Sequence, residues 1–214
     1  MNKVLFGGID PSYKGMGTTM IDVLNKRITF NELSVDVKHG AFAEIAKASE
    51  EMVSLFIREN NDFNRVDSLI GMEIPPVTGM YAVKLWALDT LLYNNVGVDY
   101  LFNVPYLKFI NKKYDGKKDT KEMINNIIKV FEDNDYEIIQ TLTDKKGKPR
   151  KLTSNECDSF IYAIRMFVKY HYENNILDDV VGEIININER FLEEKETKLG
   201  KKLDWFSRNM HNIK

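Results

Sequence analysis

Cysteine is nearly absent from this sequence. Cys157 stands alone among 214 residues, so no internal disulfide can form and a cysteine-based zinc site is ruled out as a first reading. A lone thiol fits a reducing compartment, and the expected setting is the cytoplasm, or the host cytoplasm if the chain is viral. Long apolar runs are lacking too. None approaches the ~18 residues of a spanning helix, so no membrane partner is expected. The opening stretch MNKVLFGGID reaches an acid too early for a secretory leader. Five prolines and 12 glycines exclude collagen-like and low-complexity chains. A large charge of either sign is missing as well. The formal net charge is −2, which by itself does not advertise nucleic-acid binding.

What is present is a globular composition, 43% hydrophobic and 29% charged. Against ~100–200 residues per domain, the length suits one large domain, or one domain with an appendage. The charge is uneven. Residues 108–151 hold twelve Lys and Arg against eight Asp and Glu, a local +4, whereas 175–214 hold seven against eight. Enzymes that cut nucleic acid with metal ions need acidic clusters beside basic grooves, so total charge tests them poorly.

The hydrophobic pattern predicts strands over 3–9, 17–24, 27–35, 67–72 and 98–104, with Asn25-Lys26 as a two-residue hairpin turn. It predicts helices over 41–59, 79–93, 119–132 (Asp119 as N-cap) and 154–173. Thr153 and Glu156 form a T-x-x-E capping box ahead of the last of these. An edge strand or an insertion falls within 135–152. Two further helices are expected over 179–194 and 201–212. An antiparallel meander followed by β-α units implies an α/β fold, a mixed sheet with helices on both faces. The expected division is a domain over 1–175 and a C-terminal helical extension over 176–214.

Three acids stand out by place. Asp10 closes the first strand, Glu73 closes the fourth, and Asp158 lies in the first turns of the last core helix. Acids at strand ends and helix starts can meet at one rim of a sheet. Converging carboxylates repel, and hard divalent ions with oxygen ligands are their natural partners. Each acid also has a plain reading. Asp-Pro commonly starts a turn, an acid before Pro-Pro can be a solvated loop residue, and an acid near a helix start complements the dipole.

The stretches GIDPSYKGMGTTMIDV, SLIGMEIPP and NECDSFIYAIRMF, in this order, resemble the motifs of RuvC-like Holliday junction resolvases. VPYLKFINKKYDGKKDTKEMI resembles the segment that family carries between its last two motifs. The resemblance covers roughly residues 3–173. It implies a ribonuclease H-like fold with a five-stranded mixed sheet. It also implies a magnesium-dependent crossover junction endonuclease that nicks two strands of a four-way DNA junction as a homodimer, as bacterial, bacteriophage and poxvirus resolvases do. Two Mg2+ ions are implied, with Mn2+ able to substitute.

Residue by residue, the resemblance assigns Asp10, Glu73 and Asp158 to metal binding and catalysis. It places Lys108 and Lys121 near the scissile phosphate. The remaining acid position is Asn155, which shares a helix face with Asp158 and offers a carbonyl oxygen without charge. Ser12 replaces a turn glycine, and Ile74-Pro75-Pro76 stand where an aromatic wedge is common. Lys112, Lys113, Lys117 and Lys118 form one candidate phosphate-tracking patch. Lys146, Lys148, Arg150 and Lys151 form another. Exposed loops are also often Lys-rich without binding anything.

Candidate dimer surfaces are the apolar helix 79–93 and a stripe of Ile184, Ile187, Phe191 and Leu192. Other readings stay open. They are a ribonuclease H-like flap or branch nuclease, an actin-like or sugar-kinase-type ATP-binding domain, and a non-catalytic junction-binding module.

Overall fold

The computed structural model describes residues 3–12, 15–35, 42–59, 67–73, 88, 90–95, 97–101, 107, 110, 118–140, 150–176 and 178–210. The chain opens with three antiparallel strands, β1 (Leu5–Asp10), β2 (Gly15–Asp22) and β3 (Arg27–Ser34). Helix α1 (Phe42–Glu59) leads to β4 (Ser68–Glu73), which lies parallel to β1. Helical residues 90–95 precede β5 (Asp99–Leu101), parallel to β4. Then come α2 (Lys118–Asp133), β6 (Glu137–Gln140), α3 (Ser154–Glu173) and α4 (Asp179–Met210).

The strand order is β5-β4-β1-β2-β3-β6. Its first five strands form the expected five-stranded mixed sheet of an α/β fold. β6 adds a sixth at the edge, parallel to β3, so the part of the 135–152 segment at Glu137–Gln140 is an edge strand, and 141–149 lie outside the described residues.

Period-two alternation assigns the faces. Leu5 and Ile9 of β1 face one core with Met52, Val53 and Phe56 of α1 and with Leu88 and Leu92. Phe6 faces the other core, built from α2, α3 and α4. Helix α3 is central, with residues 156–168 buried throughout. It lies unusually close to the sheet. A Cβ on Gly8 would strike the backbone of Ser159 and Ala163, and one on Gly17 would strike the backbone of Asn155. Between these contacts, Thr19 Oγ1 and Ser159 Oγ share a 2.8 Å hydrogen bond. Small residues on β1 and β2 thus set the height of α3 above the strand that ends in Asp10.

Three local expectations change. The β2–β3 connection is a four-residue turn, 23–26, because Asp22 pairs with Arg27 across the sheet. Asp22 holds the turn by accepting from the backbone N–H (3.0 Å) and Nδ2 (2.7 Å) of Asn25. Lys26 takes φ 46°, the left-handed conformation a glycine would otherwise supply. Asp119 lies inside the first turn of α2 rather than capping it.

The third change is in the tail, where 179–210 is one continuous helix. Asp178 Oδ1 accepts from the Val180 N–H at its start (2.8 Å). Ile184 and Phe191 are buried in the larger core, with Ile187 and Leu192 packed against it. Asn188, fully buried, accepts from the backbone N–H of Ile110 at 3.1 Å. The apolar stripe of the tail is therefore covered by the chain's own core. No described helix is long and apolar enough to cross a membrane.

Candidate active site at the end of the first strand

Register brings the sequence-predicted acids to one corner. α3 runs back along β1, with Phe6 against Phe167 (ring centroids 5.3 Å apart) and Gly8 against Ser159 and Ala163. The next residue on that face is Asp10. Its partner across the sheet, Gly17, lies against Asn155. Asp10 therefore meets the first two turns of α3, which carry Asn155 and Asp158. Both acids are largely buried, at 9% and 8% exposure. On the other side of β1, Ile9 pairs with Met72, so the backbone of Glu73 falls in the row beside Asp10.

Carboxylates at this depth need compensating charge. The start of α3 supplies the positive end of a helix dipole. The donor set is carboxylate and amide oxygen; the neighbouring Cys157 is buried, and burial pushes its thiol up to about 12. Asp158 and Glu156 push in the same direction, and Lys121 opposes them. Oxygen donors of this kind fit hard divalent ions. Among the described residues, which omit the Glu73 side chain, no three acidic, histidine or cysteine groups form a closed cluster.

The start of α3 is tied down by more than its cap. The capping box is present: Thr153 Oγ1 accepts from the Glu156 N–H (3.2 Å) and Glu156 Oε2 accepts from the Thr153 N–H (2.9 Å). Glu156 is fully buried, and its charge is met by Arg150 through Nη1 to Oε2 (2.9 Å) and Nη2 to Oε1 (3.2 Å). Nη2 of Arg150 also donates to Glu32 Oε2 at 3.2 Å. Asn155 Nδ2 donates to Glu32 Oε1 and to the Gly15 carbonyl, both at 2.9 Å. Ser12 Oγ accepts from the Gly15 N–H at 3.4 Å, so a serine closes the turn after Asp10 where a glycine was expected.

Glu32 is the site residue that sequence reading missed. Its signal was nevertheless present. Ile28 and Phe30 put the even-numbered positions of β3 toward α3, and Glu32 is a charge in that buried phase. It pairs with Gly17, which pairs with Asp10, so Asp10 and Glu32 lie in one row across the sheet.

The basic residues divide. Lys118 and Lys151 are exposed. Lys121 and Lys151 line a cleft of about 220 Å³ with Ile124, Asn125, Leu152 and Cys157, so this cleft adjoins Asp158 through its neighbour in sequence. Arg150 is engaged by two carboxylates, Glu156 and Glu32. Lys108, Lys112, Lys113, Lys117, Lys146 and Lys148 lie outside the described residues, as do most of helix 79–93 and Ile74-Pro75-Pro76.

No protein-family model and no curated protein matches the chain. Solved structures do. The chain is similar to RuvC of T. thermophilus in complex with a Holliday junction substrate, at 12% identity and TM-score 0.41, over 80% of this chain and 96% of that one. It is also similar to the human cytomegalovirus terminase nuclease domain, at 13% identity and TM-score 0.38, over 77% of this chain and 83% of that one. A manganese-soaked, inhibitor-bound form of the same terminase domain matches at 10% identity and TM-score 0.36, over 89% and 83% of the two chains.

Proposed function

We propose that the chain is a divalent-metal-dependent DNA endonuclease of the ribonuclease H-like fold, and that its substrate is branched DNA, the four-way junction first. The observation that carries this reading is the meeting of Asp10 with the Asn155–Asp158 turns of α3, buried and with Glu73 in the adjoining row. The motif resemblance assigns the same residues from the sequence alone. Asp10, Glu73 and Asp158 would hold two Mg2+ or Mn2+ ions, with Asn155 as a neutral oxygen donor. Bound ions of this kind supply Lewis acidity and a water of lowered pKa.

The chain's own groups do the rest. The carboxylates hold their places because α3 is locked onto Gly8 and Gly17. Lys121 and Lys151, beside the cleft next to Asp158, offset phosphate charge, and Lys118 extends the basic edge along α2. A four-way junction has approximate two-fold symmetry, so paired nicks call for a two-fold dimer. The tail stripe is spent on the core, which leaves helix 79–93, on its side away from the core-packed Leu88 and Leu92, as the proposed dimer surface.

The test is incubation of the protein with labelled four-way junction, flap and duplex DNA, with and without Mg2+, beside Asp10→Asn. Paired, Mg2+-dependent nicks in the junction alone support the proposal. Cleavage confined to flaps makes the chain a flap or branch nuclease. Binding of junctions without cleavage under any metal makes it a non-catalytic module, and ATP binding without DNA binding makes it an actin-like or kinase-type domain. Sedimentation of the protein on the junction as a monomer, with paired nicks still made, would remove the dimer.

A further inference from the structure

Asn155 occupies a place where its side chain has two chemically different ends, and the structure decides which end is used. Its Nδ2 lies 2.9 Å from Glu32 Oε1 and 2.9 Å from the Gly15 carbonyl oxygen. Both neighbours are acceptors, so only the NH2 end of the amide can face them. Both of its protons are then used. Oδ1 becomes the atom directed away from Glu32 and Gly15, on a residue that shares its helix face with Asp158. Glu32 is itself held. Arg150 Nη2 donates to its second oxygen at 3.2 Å, while Nη1 of the same guanidinium is anchored on the fully buried Glu156. Arg150, Glu32 and Asn155 therefore form a chain in which each member fixes the next.

We infer that Glu32 is a positioning residue for the candidate metal site: by accepting from Nδ2 it fixes the amide of Asn155 so that Oδ1 is offered to a divalent ion beside Asp158. Partners that orient a ligand in this way commonly matter about as much as the ligand. The same geometry explains why an amide stands at 155. An aspartate there would bring a carboxylate against the carboxylate of Glu32 and the carbonyl of Gly15, with no proton to offer either. The neutral side chain is the one this corner accepts, and the negative charge sits one step back, on β3.

This inference rests on the metal-binding part of the proposed function, and its test reads metal rather than cleavage. Mn2+ binding to the protein without DNA is followed by electron paramagnetic resonance for wild type, Asn155→Ala, Glu32→Ala, Glu32→Gln and the double alanine variant. Folding of each is checked by circular dichroism. Asn155→Ala and Glu32→Ala are expected to weaken Mn2+ binding by roughly ten- to a hundredfold. The double variant should be no weaker than the worse single one, because Glu32 acts through Asn155. Glu32→Gln keeps an acceptor oxygen and should bind Mn2+ within about twofold of wild type. Should Glu32→Ala not fold, Glu32→Leu fills the space without an acceptor and replaces it.

Loss of affinity in Glu32→Gln equal to that in Glu32→Ala overturns the inference, since charge and not orientation would then matter. Additive losses in the double variant, or unchanged binding in Asn155→Ala, overturn it as well. If wild type binds no Mn2+ at all, the metal reading of the site fails first and this inference falls with it. If wild type binds and only the Glu32 variants fail to respond, the inference alone falls.

Discussion

The two ends of α3 solve opposite problems on the same strand. At its C-terminal end, Phe167 packs on Phe6 and Phe131 (centroids 5.3 and 5.7 Å), and the His171 ring lies tilted against Phe167 at 4.3 Å. His171 Nδ1 lies 2.8 Å from the Phe167 carbonyl, so even the polar group there is satisfied within the helix. The end closes in a Schellman turn, with Asn175 at φ 53° and the Ile176 N–H donating to the His171 carbonyl (2.9 Å). At its N-terminal end the buried groups are Glu156, Asp158 and, on the strand below, Asp10. Burying carboxylates there costs stability, and the aromatic end offsets it. One helix thus carries aromatic packing at one end and a charged corner at the other, and the packing keeps the corner in register.

Breaking the charged end should affect chemistry most. Asp10→Asn and Asp158→Asn are each expected to lower junction cleavage by roughly 10³-fold or more, about 4 kcal/mol of transition-state stabilisation. DNA binding should remain near wild type, since it rests on phosphate contacts. The fold should be kept, since Asn matches Asp in shape. Gel assays of binding and cleavage with a thermal melt check all three, and a mutant at full activity takes its residue out of the site.

Breaking the aromatic end should do the reverse. Phe167→Ala removes a fully buried ring and is expected to cost about 3–5 kcal/mol in urea unfolding. Cleavage per folded molecule at low temperature should be largely preserved. A catalytic loss as deep as that of Asp158→Asn would mean that the ends are not separable in this way. A milder probe of the same end is Asn175→Ala, which puts a β-carbon in the left-handed region with no side-chain amide to soften it. About 1 kcal/mol is expected, with no change in metal binding.

The smallest effect sharpens the comparison through pH. Burial first, then Asp158 and Glu156, pushes Cys157 up to about 12, against an ordinary 9.0. Burial, Asp178 and Asp22 push Tyr136 up to about 12 from 10.0. In both, the folded chain keeps a proton that the unfolded chain gives up. Their stabilisation is full below pH 9 and is lost as pH rises from 9 toward 12. Urea midpoints should therefore fall across that window. Cys157→Ser should blunt the part that begins near pH 9, and native Cys157 should resist alkylation at pH 8 until urea is added.

Much of this was legible in the chain. Alternation in 3–35 set the meander, the Thr153–Glu156 box set the start of α3, and Asp10, Glu73 and Asp158 were visible as acids where elements end. These are local properties, decided by residues within a few positions of one another. The four-residue turn at 23–26 was not, because it depends on Asp22 pairing with Arg27 rather than on a turn dipeptide. Nor was the unbroken run of α4, whose buried face meets α2 and Ile110. The sequence by itself determined which groups are acidic and which elements carry them. Only the tertiary structure decided that Gly8 and Gly17 let α3 descend onto β1, that Arg150 is spent on Glu156 and Glu32, and that Asn155 turns its NH2 toward Glu32. Apart from the Arg150–Glu156 pair, six positions apart, those depend on contacts between residues more than a hundred positions apart, and no local pattern encodes the distance between them.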